Sequence, residues 1–271
     1  MKLTMLGCGS AFSLENFQSN MMIEKNGKRL LMDCGGDIRF SLGYNVIEKD
    51  EKEGTLLLKK TGLSSKDIDA VYVSHLHADH IGGLEYLAFT SYPYGGFKYR
   101  EKIKLFGEAR LLDDVWGSIG GGLRSFQGAR HILSDHFETH PVEPNSSFKW
   151  EEIEFHIVQV CHVVDGYSIM PSYGLMFKGD TGKKVFITTD TQFAPNQLIT
   201  FYNQSDLIFQ DCETVPEKFK SGVHAHYSEL KTLPPETKSK MCLYHYGDGS
   251  KPDCKEDGFL GWCTKDQIFD L

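Results

Sequence analysis

Ser74-His75-Leu76-His77-Ala78-Asp79-His80-Ile81-Gly82-Gly83 is the stretch that decides the fold of this chain of 271 residues. It places three histidines and one aspartate, four potential metal ligands, within six residues. The preceding run, Ile68 to Val73, is β-branched and aromatic, a composition that predicts a buried strand. Ile81 to Leu87 predicts the start of a helix. The potential ligands therefore lie where a strand ends.

The spacing of these side chains suits two ions rather than one. Side chains two apart in extended backbone point to the same face, so His75 and His77 can bind one ion together. Asp79 and His80 come after the chain turns and are expected to face a second ion beside the first. The competing interpretation is an exposed histidine-rich loop in which Asp79 caps the following helix, but so many ligands at this spacing favour a metal site.

Three further strands are predicted to end in a potential ligand. Val158 to His162 is an apolar run that ends in a histidine. Val185 to Thr191 carries Asp190 after its apolar part, and Met241 to Tyr246 carries His245. Along the chain the ligands therefore follow the order His-x-His-x-Asp-His, then His, Asp and His.

This order resembles the metallo-β-lactamase superfamily, whose hallmark is His-x-His-x-Asp-His after a strand and three later ligands of these types. Two early segments are similar as well: a first strand running into a Gly-rich turn, Leu3 to Ser10, and the strand Leu30 to Gly36, which carries Asp33. The resemblance implies an α/β fold of the αββα type, two β-sheets flanked by helices. It implies that residues 1–271 form a single hydrolase domain.

The resemblance also implies a ligand set and its metals. It assigns one ion to His75, His77 and His162. It assigns the second ion to Asp79, His80 and His245, and it gives Asp190 the role of a bridge between the two ions. Asp79 is expected to act in catalysis as well, and Asp33 to support the ligands from behind. Imidazole and carboxylate suit two divalent ions, with Zn as the first expectation and Mn as the alternative.

A second constellation resembles the phosphodiesterase branch of the superfamily, typified by ribonuclease Z. That branch carries an acidic residue after a strand and then a His-x-Thr motif whose histidine acts near the leaving group. An ungapped match places Asp211 at the acidic position and His226 at the motif, with Ser228 in place of threonine. A carboxylate behind an imidazole suits it to donate a proton to a departing alkoxide. His226 is therefore the expected proton donor, with His224 as the alternative donor and Glu213 as the alternative carboxylate.

The chain departs from ribonuclease Z where that enzyme grips tRNA. The flexible arm of that enzyme lies between the third-motif histidine and the bridging aspartate, but here only 27 residues separate His162 from Asp190. They include a predicted strand pair, Tyr173 to Lys178 and Lys184 to Thr189. The formal net charge of −8 argues against long nucleic acids, whose partners normally carry basic patches.

The resulting hypothesis is a binuclear phosphodiesterase that opens a small nucleotide, first of all a 3′,5′-cyclic mononucleotide, to the linear monophosphate. In this hypothesis the chain is similar to the cyclic-nucleotide phosphodiesterases of the superfamily, which resemble ribonuclease Z but lack its arm. That group includes some phage anti-defence enzymes. The first alternative is a tRNA 3′-processing endonuclease, and the second is a lactone or thioester hydrolase of the same fold. A nucleotide-binding protein without turnover would need a missing ligand, and none is missing.

Composition sets further expectations. The seven cysteines are scattered and form no Cys-x-x-Cys pair, which fits reduced thiols and a cytoplasmic location. The chain lacks an apolar stretch approaching twenty residues, and its start is too quickly polar for a signal peptide, so no contact with a membrane is expected. Homodimers are common in the group that the chain resembles, which implies a homodimer here.

Weaker patterns give three more predictions. Thr55 to Thr61 is expected to be a helix after the solvated stretch Glu48 to Glu53. Ser91 to Pro144 is expected to form a surface loop and a loosely packed helix pair, with a flexible segment from Gly117 to Arg124. The alternative for the aromatic part, Tyr92 to Tyr99, is a loop that stacks on a nucleobase, with Arg124 or Arg130 meeting a phosphate. The tRNA endonuclease alternative would require a loop such as Tyr92 to Lys104 to replace the arm.

Overall fold

A computed structural model of the chain describes residues 1–50, 55–91, 101–126 and 129–271. Within these ranges the chain forms two seven-stranded sheets. In spatial order the first sheet contains β10 (Phe137–Val142), β7 (Ile103–Glu108), β6 (Ala70–Tyr72), β3 (Lys28–Met32), β2 (Asn20–Lys25), β1 (Lys2–Gly7) and β18 (Ile268–Asp270). The second contains β11 (Ser147–Trp150), β12 (Ile153–Gln159), β13 (Tyr173–Lys178), β14 (Lys184–Ile187), β15 (Leu207–Asp211), β16 (Met241–Tyr244) and β17 (Gly261–Trp262).

Short helices and two hairpins complete the described ranges. The helices are α1 (Ile38–Gly43), α2 (Ala78–Ile81), α3 (Leu84–Ser91), α4 (Ala109–Leu123), α5 (Leu133–His136), α6 (Pro195–Gln204), α7 (Tyr227–Leu230) and α8 (Pro235–Lys238). The hairpins are β4 (Tyr44–Asp50) with β5 (Thr55–Lys60), and β8 (Ser125–Phe126) with β9 (Ala129–Arg130). None of the described helices has the length and apolar character needed to cross a membrane.

Burial patterns explain which strands lie in the centre. In β12, buried Ile153, Phe155 and Ile157 alternate with exposed polar side chains, as expected where one face meets the core and the other meets water. Every residue of β15 is buried, because this strand has parallel neighbours on both sides and its sheet is covered on both faces.

Aromatic side chains join the two sheets through a common core. The Phe148 ring of the second sheet stacks on Tyr72 and Phe106 of the first, with centroids 5.6 and 4.4 Å apart. The buried Tyr72 hydroxyl donates to the Tyr173 carbonyl at 2.9 Å, which satisfies its polar end. Helix α4 packs against β7 and β10 of the first sheet, α3 packs against α4, and α6 packs against β14 of the second sheet. The predicted αββα sandwich is confirmed.

Strand direction gathers potential ligands at one edge of this sandwich. β14, β15 and β16 are parallel, and β12 runs in the same direction because one antiparallel strand separates it from β14. Their carboxyl ends lead to His162, Asp190, Asp211 and His245, respectively, after β12, β14, β15 and β16. β6 of the first sheet ends just before His75.

The predicted helix from Thr55 to Thr61 is wrong, because residues 55–60 form strand β5 and pair with β4. A short apolar run has no period that separates helix from strand. Leu57 and Leu58 are 55% and 38% exposed, so these apolar side chains do not form a buried face that would stabilise a helix. Of the solvated stretch, residues 51–54 lie outside the described ranges, and Glu48 belongs to β4.

The region from Ser91 to Pro144 also differs from its prediction. Two of its segments, β7 and β10, are parallel strands of the first sheet, and the glycine-rich segment from Gly117 lies in helix α4. Glycine disfavours helix, but the apolar face of α4 is buried, and this packing offsets the intrinsic preference. The aromatic run at residues 92–100, with its nucleobase-stacking alternative, lies outside the described residues.

Candidate active site

Three imidazole nitrogens meet at one point of the sheet edge. The Nδ1 atom of His77 lies 3.1 Å from Nε2 of His75 and 3.1 Å from Nε2 of His162. Tetrahedral ligands at Zn–N distances of about 2.0–2.1 Å are separated by roughly 3.3 Å, so this spacing suits a single ion. Asp190 completes this group of potential ligand atoms, all within 4.8 Å of one another.

Hydrogen bonds on the far side of the rings determine which nitrogen is free. The Ser74 hydroxyl gives its one proton to Asp33 at 2.7 Å, so it accepts from Nδ1 of His75 at 2.9 Å. Nδ1 of His162 donates to the Val223 carbonyl at 2.8 Å. In both rings Nε2 therefore keeps its lone pair for a metal ion.

Asp33 holds a second ring in the same way. One of its oxygens accepts from Nδ1 of His80 at 2.8 Å, and the other accepts from the Ser74 backbone amide at 2.8 Å. Asp33 is 3% exposed and has a φ of 66°, a conformation that costs energy in an aspartate. Asp33 thus lies behind the potential ligands, and its role in supporting them stays a prediction.

A second group of potential ligands lies beside the first. The Asp79 carboxylate is 3.3 Å from Nε2 of His80 and 3.3 Å from Nε2 of His245. Asp79 and His80 belong to α2, and His245 follows β16 in a left-handed conformation with a φ of 64°. With Asp190, these residues form another set whose ligand atoms lie within 4.8 Å.

Asp190 lies between the two groups and is buried. Its Oδ2 atom is 3.2 and 3.3 Å from Nε2 of His80 and His245, and 3.6 and 3.8 Å from Nε2 of His75 and His162. Burial would raise the pKa of Asp190, but the surrounding imidazoles more than offset this and hold it well below its usual value. An ionised carboxylate at this point can bridge two cations.

The polar atoms of this cluster fit two divalent ions. Both carboxylate oxygens of Asp190 and Nε2 of His80 are buried with no hydrogen-bond partner among the described residues. Buried polar atoms without a partner are costly, whereas the same lone pairs aimed at a cation are satisfied. Burial also lowers the pKa of His75 well below its usual value, which favours the neutral form that binds metal.

A histidine and a carboxylate form one wall of the site. Asp211 accepts from Nδ1 of His224 at 2.8 Å and from the Thr191 backbone amide at 2.9 Å. The His224 ring stacks on His245, with centroids 4.7 Å apart. Burial lowers the pKa of His224, but Asp211 more than offsets this and raises it to about 10. The carboxylate of Asp211 thus favours the protonated form of His224, next to the potential ligands.

The predicted pairing of Asp211 with His226 is wrong. His226 is the residue before α7, its Nδ1 atom lies 2.9 Å from Ser228 Oγ, and its Nε2 atom lies 2.8 Å from the Val215 carbonyl. Both ring nitrogens are thus engaged within the loop. The two histidines are separated by one residue, Ala225, and the sequence contains no signal of which one the loop turns toward Asp211.

A cavity of about 580 Å³ opens over the ligands. Its floor and walls contain potential ligands together with His224, Glu213 and an apolar set: Ala11, Phe12, Val215 and Val223. Glu213, the alternative carboxylate, accepts from the Ser221 amide at 3.1 Å instead of supporting a histidine. Neither Arg124 nor Arg130 is among the described residues that line the cavity.

One supporting residue was not predicted from the sequence. Gln192 donates from its side chain to the His162 carbonyl at 2.6 Å and from its backbone amide to the Cys161 carbonyl at 2.7 Å. It therefore fixes the turn that presents His162. Its position two residues after Asp190 was a usable signal, since chain neighbours of one ligand often support another.

Comparisons with known proteins identify the family of this chain. Residues 1–269 match a family described as anti-Pycsar protein Apyc1. A protein of that description from Paenibacillus harenae is 31% identical over 251 residues, covering 92% of this chain and 90% of its own. Another, from Bacillus phage 010DV004, is 31% identical over 280 residues and covers 100% and 98%.

A solved structure supports the fold independently. The metallo-β-lactamase fold protein YhfI from Bacillus subtilis is 18% identical and has a TM-score of 0.71, over 99% of this chain and 98% of that one. Likeness at this identity shows the fold alone, and it confirms the predicted metallo-β-lactamase architecture. The match across nearly the whole length shows that this chain belongs to the anti-Pycsar Apyc1 family.

Proposed function

We propose that this chain is a binuclear phosphodiesterase that hydrolyses a 3′,5′-cyclic mononucleotide to the linear monophosphate. The observation that carries the proposal is the combination of two groups of potential ligands, with Asp190 between them, and the hydrogen-bonded pair His224 and Asp211 at their side, inside one cavity. The anti-Pycsar description of the family is consistent with a cyclic-nucleotide phosphodiesterase.

Seven side chains would hold the ions in the two groups already described, with Zn as the first choice and Mn as the second. When bound, two such ions lower the pKa of water and neutralise charge on the phosphate oxygens. The protein supplies preorganised ligands, because Asp33 and the Val223 carbonyl fix the rings before substrate arrives. Little reorganisation is then needed as charge builds on the phosphate.

His224 is the proton donor in this proposal, in place of His226. Asp211 holds Nδ1, so Nε2 is the nitrogen that can give a proton to the substrate. Hydrolysis adds the hydroxyl of one water to phosphorus and breaks the bond from phosphorus to O3′. His224 gives its proton to O3′ and regains one from the attacking water, so that the product is the 5′-monophosphate.

The two alternatives need different features. A lactone or thioester hydrolase would use the same ligands. The thiolate that leaves a thioester needs no proton from His224, whereas a lactone releases an alkoxide and is distinguished by the substrate panel. A tRNA endonuclease needs a basic surface, whereas the chain has 37 acidic against 29 basic residues. Two strands, β13 and β14, occupy the segment in which ribonuclease Z carries its arm.

A substrate panel tests the proposal directly. Purified protein reconstituted with Zn or Mn is incubated with cyclic mononucleotides, cyclic dinucleotides, a tRNA precursor and a lactone, and products are separated by chromatography. The expected result is rapid opening of a cyclic mononucleotide to a 5′-monophosphate. Turnover of the lactone or of the tRNA precursor, with every cyclic mononucleotide left intact, would overturn the proposal.

A further inference from the structure

One aromatic side chain at the cavity is exposed to an unusual degree. Phe12 is 92% exposed, although it lies beside Ala11 on the cavity wall and shares this cavity with His224 and Asp190. An aromatic ring in water gains little from its own fold and is available to a ligand. The cavity thus combines a polar floor with an apolar rim.

This division matches the two halves of a nucleotide. The phosphate is polar and would meet the floor, whereas the base is flat and can stack on an aromatic ring whatever its identity. Val215, 37% exposed, lines the same rim and extends its apolar character. Phe12 is the only phenylalanine, tyrosine or tryptophan among the described residues that line the cavity.

The loop that carries Phe12 is held by one carboxylate. Asp248 accepts from the Ser13 hydroxyl, from the Leu14 amide at 2.7 Å and from the Glu15 amide at 3.3 Å. The side-chain amide of Asn16 donates to it as well, at 2.9 Å. Partial burial would raise the pKa of Asp248, but these donors more than offset this and lower it, so it is an ionised acceptor at neutral pH.

The same loop is connected to the ligand floor. The Ser10 amide donates to the Tyr246 carbonyl at 3.0 Å, and the His245 amide donates to the Cys8 carbonyl at 2.7 Å. The start of the loop therefore has a fixed distance from His245, and Asp248 fixes its tip. These hydrogen bonds at both ends of the loop fix the position of the Phe12 backbone relative to the potential ligands.

We propose that Phe12 is the platform on which the substrate's nucleobase stacks, and that Asp248 is the positioning residue that holds this platform over the phosphate site. The inference rests on the proposed function and adds the residue that binds the base. Because a stacking platform reads a π-face instead of base edges, the proposal includes tolerance of both purines and pyrimidines.

A matched pair of substrates isolates the base. One is a 3′,5′-cyclic nucleotide, and the other is methyl riboside 3′,5′-cyclic phosphate, which has the same scissile bond and no base. Phe12→Ala is expected to raise the KM for the nucleotide by roughly 10-fold and to change the KM for the riboside far less. Phe12→Tyr and Phe12→Trp are expected to retain the preference for the nucleotide. Phe219→Ala is the control, since Phe219 is 65% exposed and lies outside the cavity lining.

Asp248 is tested by its dependence on Phe12. Asp248→Asn retains the size but replaces one accepting oxygen by a donor, so the loop loses part of its anchor. The KM for the nucleotide is expected to rise several-fold, with kcat falling less. The double variant with Phe12→Ala is expected to be no worse than Phe12→Ala alone, because both changes act through the same ring. Additive losses would show that Asp248 acts elsewhere.

The outcomes separate this inference from the function beneath it. A wild-type protein that opens neither cyclic phosphate contradicts the proposed function. A wild-type protein that opens both, with Phe12→Ala raising the two KM values equally or not at all, contradicts the platform alone. Sedimentation of each variant gives a further check, since loss of an oligomer together with an unchanged base preference would assign Phe12 to a protein contact and overturn the platform.

Discussion

The seven potential metal ligands form the floor of the site, the segment from Asp211 to Ser228 forms a wall beside it, and the two regions differ in how their residues are placed. Floor residues come from strand ends and from the short helix after β6, and their far sides are held by hydrogen bonds such as that of Asp33 to His80. The wall, from Asp211 to Ser228, places its histidines on an irregular loop. His224 and His226 are separated by one residue, yet His224 meets Asp211 and His226 meets a backbone carbonyl.

The difference shows that the direction of a side chain can be inferred from sequence where the backbone is a regular strand, but not where it is an irregular loop. In a strand the side chains alternate by a fixed rule, so the spacing of His75 and His77 indicates a shared direction. A loop has no such period, and the direction of each side chain depends on tertiary contacts. Mutations of the floor are expected to have the largest effects, because its residues would hold both metal ions.

Asp190→Ala should cause the largest loss. Its carboxylate is within 3.2–3.8 Å of four imidazoles, so its removal takes a ligand from both groups at once. We expect fewer than one tightly held ion per chain in metal analysis and a fall in kcat/KM well beyond the 10–100-fold typical of residues behind the ligands. Asp33→Asn is the matched control and should fall within that range. An Asp190→Ala protein with two ions and full turnover would contradict the bridging role.

His224→Ala should cause the next largest loss and compares the two histidines directly. Turnover of a cyclic nucleotide, whose leaving group is an alkoxide, is expected to fall by roughly 10²–10⁴-fold with metal content intact. On bis(p-nitrophenyl) phosphate the loss should be much smaller, because its leaving group needs little protonation.

His226→Ala is the control for this experiment. His226 lies before α7 and accepts from the Ser228 amide at 3.1 Å, so its loss should destabilise the fold by about 1 kcal/mol without leaving-group dependence. The reverse pattern, with a leaving-group effect in His226→Ala and none in His224→Ala, would restore His226 as the proton donor.

Asp211→Asn should cause an intermediate loss and tests the connection between wall and floor. Asp211 is 2.8 Å from His224, and its other oxygen is 3.5 Å from Nδ1 of His245. We expect a fall of roughly 10–100-fold in turnover, the usual cost of removing a group that orients another. If Asp211 acts through His224, the double variant with His224→Ala should be no slower than His224→Ala alone. Multiplying losses would place the main action of Asp211 on His245.

The fold, and the grouping of the potential ligands at one edge of it, could be predicted to a large extent, for reasons visible in particular residues. Each ligand follows an apolar run, and runs that end in His162, Asp190 and His245 are strands whose ends must meet at one edge. The helix predicted at Thr55 and the loop predicted at Gly117 were wrong, because short apolar runs lack a period and because burial of one face stabilises α4 despite its glycines.

The wall and the rim could not be predicted in the same way. The choice between His224 and His226 depends on where the loop from Asp211 folds back, and no local pattern encodes that path. Phe12 could not be assigned at all, since its position depends on hydrogen bonds to Asp248, 236 residues later in the chain. Contacts at such separation arise from the topology of the two sheets.

The response to salt should be the smallest effect, and it tests whether the floor and rim suffice to hold the substrate. A cyclic mononucleotide would be held by two ions and one ring inside the cavity, so few counterions are released and kcat/KM should be nearly flat between low and physiological salt. A tRNA precursor would need many phosphate contacts across the surface of a chain with a net charge of −8, and its cleavage would fall steeply over the same range. The measurement is kcat/KM for both substrates at several salt concentrations, with Zn or Mn held constant. Strongly salt-dependent tRNA cleavage without opening of any cyclic nucleotide would show that a surface outside the cavity binds the substrate, and would return the chain to the processing-endonuclease alternative.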